Sequence, residues 1–178
     1  IDGLILSASN RQPVLLSLIG KFIAKIEQIR VGKQKSSALL QFLSFGSFNQ
    51  AFKPNRTAFD WLTRDNDQVD KYLADPLCGF PCSTGLWYEF ISELVNLVKP
   101  ETLKRIQKDL PILMVGGSQD PVGMMGKGLP KLARLYKSIG QEKVTLKIYQ
   151  DARHEILNET NNEQVYLDII NWLNDQSK

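Results

Sequence analysis

Two residues in this 178-residue chain have the types and spacing for proton chemistry: Asp120 and His154, the chain's single histidine. An imidazole moves protons near neutral pH, and a carboxylate can orient it and stabilise its charged form. Each of the two follows an apolar run. Ile112-Leu113-Met114-Val115 leads through Gly116-Gly117 to Asp120. Val144, Leu146 and Ile148 alternate with the more polar Thr145, Lys147 and Tyr149, ahead of the loop 150–158 that carries His154. An apolar run closed by glycines fits a strand buried on both faces of a sheet, and the alternation predicts a further strand. A side chain just past such a strand stands at the sheet's carboxyl edge, where open α/β sheets place their sites. Asp120 and His154 are 34 residues apart, with one helix and one strand between them. In a parallel sheet that connection brings both loops to one rim, on neighbouring strands. Singly, Asp120 reads as a turn residue before Pro121 and His154 as a polar loop residue. Their joint placement reads as an acid–base pair.

The elements that must position this pair follow from periodicity. Gly3 to Ser7 reads as a first strand. Leu15, Leu18, Ile19, Phe22 and Ile26 recur at three- and four-residue steps and predict a helix with one apolar face. A weaker helical piece spans about 36–45, and 46–56 reads as loop. Residues 57–83 read as short helical turns and loop. Trp87, Phe90, Ile91, Leu94, Val95 and Val98 predict a strongly apolar helix that Lys99-Pro100 ends. After the strand at 112–115, Leu129, Leu132, Ala133 and Tyr136 predict a helix stopped at Gly140. Val165, Ile169, Trp172 and Leu173 predict the buried face of a last helix. The order is strand, long helical block, strand, helix, strand, helix. That alternation predicts an α/β fold: a parallel sheet with crossover helices and a helical insertion. The expected division is a core strand at 1–9, a helical insertion at 10–99 and the carboxyl-terminal part of the core at 100–178.

A base needs a nucleophile, and this part of the chemistry is not evident. On such a sheet the signature is G-x-S-x-G at a strand-to-helix turn. The nearest match, Gly116-Gly117-Ser118-Gln119-Asp120, has Asp in place of the last glycine, so Ser118 reads as a turn residue. Gly126-Lys127-Gly128 lacks the Ser or Thr of a phosphate-binding loop, so Gly123, Gly126 and Gly128 read as shaping the loop behind Asp120. Phe48, Phe52 and Phe80 sit in loop-like sequence and are the candidates for lining a substrate pocket. Asp60, Asp65, Asp67, Asp70 and Asp75 match no calcium-loop spacing and read as solvated surface and helix caps. Cys78 and Cys82, the only cysteines, have no histidine nearby and read as buried free thiols.

Composition narrows the classes further. The hydrophobic fraction of 43% suffices for a core, and the net charge of +3 is weak and dispersed. Without a basic stripe interleaved with aromatics, nucleic acid is not an expected partner. No apolar run approaches the roughly eighteen residues of a membrane span. No metal or cofactor is called for. The chain opens Ile1-Asp2-Gly3-Leu4-Ile5-Leu6, already strand-like and without an initiator methionine or signal peptide. The expectation is that a first part of a longer protein precedes it. Compartment is not legible from such a chain; a cytoplasmic one is the default expectation.

The stretches GGSQDPVGMMGKGLPKL and VTLKIYQDARHEILNET resemble the carboxyl-terminal part of α/β-hydrolase serine hydrolases, in the lysophospholipase and monoacylglycerol-lipase-like branch. The segment FDWLTRDNDQVDKYLADPLCGF resembles the cap of bacterial members. The resemblance covers nearly the whole chain. It implies that Asp120 is the acid and His154 the base of a Ser-His-Asp triad, and that 10–99 is mainly a cap over the substrate. It also implies that the serine elbow and oxyanion-hole loop belong to the remainder of the hydrolase core, upstream of Ile1. The substrate class implied is a carboxylic ester of a lipid, a monoacylglycerol or a lysophospholipid, with no cofactor. The rivals are a non-catalytic α/β binding protein that kept the scaffold, and another hydrolase chemistry on the same fold, such as peptide or haloalkane cleavage.

Overall fold

The computed structural model describes residues 1–176. At its centre is strand β2 (Ile112–Gly117), every residue of which is buried. It pairs in parallel with β1 (Leu4–Ser7) on one side and β3 (Val144–Tyr149) on the other, giving the sheet order β1-β2-β3. Gly117 stands opposite Tyr149, so β2 and β3 end level at the carboxyl rim. The expected parallel α/β sheet is what forms.

Side-chain alternation then assigns each face a helix. Ile112 and Met114 point to helix α7 (Gly128–Ser138) and pack on Leu129, Leu132 and Ala133. Leu113 and Val115 point the other way, to Ile156 and to Val165 of helix α8 (Asn162–Gln176). Gly140, at φ +90°, terminates α7 by returning its N–H to the Lys137 carbonyl, as a glycine stop should. Two expected burials need correction. Tyr149 is buried on the α8 side, where its hydroxyl donates to Asp168 at 3.0 Å. In the last helix Val165 is buried and Ile169 and Trp172 are half-buried, but Leu173 is exposed.

Between β1 and β2 the chain is helical, with no strand beyond an isolated Ser36–Ser83 bridge. Helix α1 (Val14–Val31) lies along α5 (Thr84–Leu97), and Ala24, Leu40 and Trp87 form the small core between them. The face α1 buries is not its most apolar one. Leu15, Leu18, Ile19, Phe22 and Ile26 are all exposed, while the buried face carries Ala24 and Glu27. Glu27 takes both prongs of Arg30, at 2.8 and 2.7 Å, and a hydrogen bond from Ser37. Ser37 in turn caps α2 (Ala38–Gln41) by accepting from Leu40 N at 3.2 Å.

The stretch 46–56, expected as loop, is largely helical. After α2 come a wide π-turn at Phe42–Gly46, the short α3 (Ser47–Asn49) and a tight 3₁₀ turn at Gln50–Phe52. Helix α4 (Asn66–Ala74) is capped by Asp65, which accepts from Asp67 N and Gln68 N, and a one-turn α6 (Pro100–Leu103) precedes β2. Asp60 is not solvated surface: it is buried and caps the turn through Arg56 N and Thr57 N. Cys78 and Cys82 are free thiols and half-buried rather than buried. Among the described residues, no helix is long and apolar enough to cross a membrane.

Candidate active site

Asp120 and His154 meet. His154 Nδ1 lies 3.1 Å from Asp120 Oδ1 at the carboxyl rim of β2 and β3. A carboxylate can only accept, so this contact requires the tautomer with the proton on Nδ1, leaving Nε2 free to act on another group. Asp120 is 2% exposed and His154's side chain 26% exposed, so the acid is enclosed while the imidazole keeps an open edge. Val122 N also donates to Asp120 Oδ1, at 2.9 Å, closing an Asx turn that fixes the carboxylate's orientation.

Local sequence makes this approach possible. At Gly117 an added Cβ would fall on the carbonyl oxygens of Ala152 and Arg153, so only glycine lets the histidine loop lie directly across the end of β2. There Ser118 N donates to Tyr149 O and Gln119 N to Ala152 O, both at 2.9 Å. Ser118 Oγ accepts from Asp151 N at 2.8 Å, so Ser118 ties the two loops together as a turn residue. Behind the acid, a Cβ on Gly123 would come within 2.9 Å of Asp120 Oδ2. Met124 and Met125 both adopt positive φ, at 56° and 53°, in the turn that returns Met125 N to Asp120 O at 2.7 Å. Such backbone strain persists only where surrounding contacts hold it, and here it borders the acid.

The helical block reaches this rim through the segment 60–64. Trp61 packs against the imidazole, ring centroids 5.2 Å apart and tilted by 41°. Phe45 stacks on Trp61 at 5.8 Å, and Phe48 meets it at 5.3 Å. The Arg153 guanidinium covers the Phe52 ring at 4.2 Å, beside the histidine. Burial holds that guanidinium's pKa below its usual range, with Glu159 and Asp60 opposing the shift. Of the three pocket candidates, then, Phe48 and Phe52 come into the aromatic surroundings of the pair. Phe80 is 61% exposed, outside those ring contacts.

Trp61, Arg64, Arg153 and Glu159 were not legible as neighbours of the pair, because they come from segments some 90 residues apart. Gly117 carried a signal, a second glycine at a strand end, but only the structure shows what crosses it. Among the described residues no group of three or more His, Cys, Asp or Glu side chains could hold a metal ion.

Residues 1–161 match the model of the serine aminopeptidase S33 hydrolases. The chain belongs to this family. No curated protein matches it in sequence. Solved structures share its fold. A highly thermostable carboxyl esterase from Bacillus coagulans, solved with glycerol, is 27% identical with a TM-score of 0.84, over 98% of this chain and 57% of its own. A lipase in an open form is 21% identical with a TM-score of 0.81, over 100% of this chain and 58% of its own. The monoacylglycerol lipase of Paleococcus ferrophilus is 21% identical with a TM-score of 0.64, over 99% and 60%. This S33-family chain thus spans between 57% and 60% of the length of these three structures. They support the α/β-hydrolase fold, with the chain corresponding to its carboxyl-terminal portion.

Proposed function

We propose that this chain is the cap and carboxyl-terminal part of a serine hydrolase that cleaves carboxylic esters of lipids, a monoacylglycerol or a lysophospholipid. Asp120 is the acid and His154 the base of its triad. The serine and the oxyanion-hole donors are assigned to the part of the hydrolase core outside these 178 residues, and 10–99 is the cap that shapes substrate access. The observation that carries this reading is the 3.1 Å contact between His154 Nδ1 and the buried Asp120.

The chemistry follows from that contact. His154 Nε2 takes the serine proton as the oxygen attacks the ester carbonyl. Asp120 holds the Nδ1 proton and stabilises the imidazolium. The imidazolium then protonates the departing alcohol, leaving an acyl-serine. A water, deprotonated by the same nitrogen, releases the fatty acid and restores the serine. The aromatic surroundings at Phe48, Phe52 and Trp61 suit an acyl chain better than a charged group, and the esterase and lipase neighbours support an ester over a peptide.

Hydrolysis of monoacylglycerols and lysophospholipids of graded chain length, with an aminoacyl amide beside them, tests the reading. Esters are expected to be cleaved and the amide left intact. The His154→Ala variant should lose roughly six orders of magnitude in kcat. It should also lose labelling by a fluorophosphonate. Labelling unchanged in that variant removes His154 as the base.

A further inference from the structure

One buried carboxylate near the site has no part in the chemistry above. Glu159, five residues beyond His154, has a side chain with no solvent exposure. Burying a carboxylate is costly unless paired and hydrogen-bonded, and Glu159 is surrounded by donors. Arg64 Nε donates at 2.8 Å and Arg64 N at 3.2 Å, Arg153 N at 2.7 Å and Thr160 N at 3.2 Å. Two of those donors belong to Arg64, in the helical block, and one to the residue immediately before His154.

Around this centre, the segments 60–64 and 153–161 are laced together. Arg153 donates to the carbonyls of Asp60 and Thr63, and Thr63 Oγ1 to Asn158 O at 2.8 Å. Glu155 N donates to Leu62 O at 2.7 Å, and Arg64 to Asn161 Oδ1 at 2.9 Å. His154 is carried on one side of this lacing and Trp61 on the other. The Trp61 indole N–H is buried without a hydrogen-bond partner among the described residues, while Trp61 N donates to Asn49 Oδ1 at 3.1 Å. The ring's position against the imidazole is set by packing on Phe45 and Phe48, by that Asn49 contact and by the lacing.

We infer that Glu159 is the positioning residue of the histidine loop: it fastens 60–64 to 153–161 so that Trp61 holds the imidazole against Asp120. This deepens the hydrolase reading and rests on His154 being the base. Glu159 touches no reacting atom and acts through the main chain of Arg153 and through Trp61. A neutral glutamine at 159 keeps the volume, but its amide nitrogen would face donors that need an acceptor.

The experiment reads the imidazole directly, in the full-length hydrolase, by NMR of its His154 ring resonances, which the His154→Gln variant identifies. Glu159→Gln is expected to shift those resonances and weaken the cross-relaxation between the Trp61 and His154 rings. Catalysis should fall on the order of 10-fold or more in kcat, as small misplacements do, with KM little changed. Glu27→Gln, which removes the charge paired with Arg30 in the helical block away from the rim, controls for general destabilisation and should leave the imidazole signals in place. Arg64→Gln gives the same shift in smaller measure, and it decides the matter should Glu159→Gln fail to fold. Imidazole signals and ring contact unchanged in folded Glu159→Gln or Arg64→Gln protein would overturn the inference. A wild-type protein that cleaves no ester would instead remove the hydrolase reading and leave the NMR result to decide the role of Glu159.

Discussion

Strand β2 and helix α1 are both written in apolar residues, yet β2 buries every position and α1 exposes most of its large side chains. The strand lies between two helices and two neighbouring strands, so each of its faces is closed whichever way a residue points. The helix touches one main neighbour, α5, and buries against it the side carrying Gly20, Ala24 and Glu27 rather than the stripe of Leu15, Phe22 and Ile26. Ala24 is the small residue at the centre of that contact, and Glu27 carries its charge, paired with Arg30, to Ser37 ahead of α2. Periodicity says that a helix forms; what covers its apolar side is a separate matter, decided by the surfaces available.

The sharpest way to test this contrast is to remove side-chain volume from each region. Met114 is wholly buried between Ile112, Leu129 and their neighbours. Met114→Ala should cost about 2–5 kcal/mol, the transfer free energy plus a cavity that a sheet held from both sides cannot close. Urea unfolding of the two proteins measures it. A loss below that range would mean that the sheet region is packed as loosely as the helical one.

The second test uses the helical region's own means of cohesion. Hydrogen bonds from Arg30 and then from Ser37 hold the Glu27 carboxyl at about 2, against an ordinary value of 4.5. A depressed folded-state pKa gives stability that is fully present above the unfolded value and is lost as the proton returns. The wild-type Tm should therefore fall, relative to Glu27→Gln, as pH drops from 4.5 toward about 2. The two curves should run parallel at higher pH. Curves that stay parallel through the acid range would show that the α1–α2 staple contributes nothing.

The same contrast explains what could be read from the sequence. Asp120 and His154 were legible because each follows a short strand, and a parallel crossover leaves their loops no other rim to occupy. Gly123 and Gly126 were legible as shapers of the acid's loop, and Gly140 as a helix stop. Phe48 and Phe52 read as loop in the sequence because a π-turn followed by a 3₁₀ turn breaks the 3.6-residue period that marks a helix. The contact of Glu159 with Arg64 spans 95 residues between two stretches without periodic pattern. No local signal encodes such a meeting. Tyr149 lies on the face that the alternation gives it, but its burial is not legible because its hydroxyl counts as polar in a pattern, whereas in the fold it finds Asp168 and its ring joins the core.

The smallest expected effect is the one that bears most on α1. Phe22 is 67% exposed on the side of the helix turned away from α5. Truncating a side chain that folding does not enclose removes little transfer free energy, so Phe22→Ala should change stability by no more than about 0.5 kcal/mol. The same urea titration reads it, beside Met114→Ala. The comparison is informative in both directions. A near-zero change means that α1 is held by Ala24, Glu27 and its contact with α5 alone, and that its apolar stripe is free in the folded protein. A loss approaching that of Met114→Ala would mean that another surface encloses the stripe and that the α1–α5 pair is only one side of a larger core. The two outcomes differ several-fold, so a single pair of titrations separates a helix that is merely apolar from one that is buried.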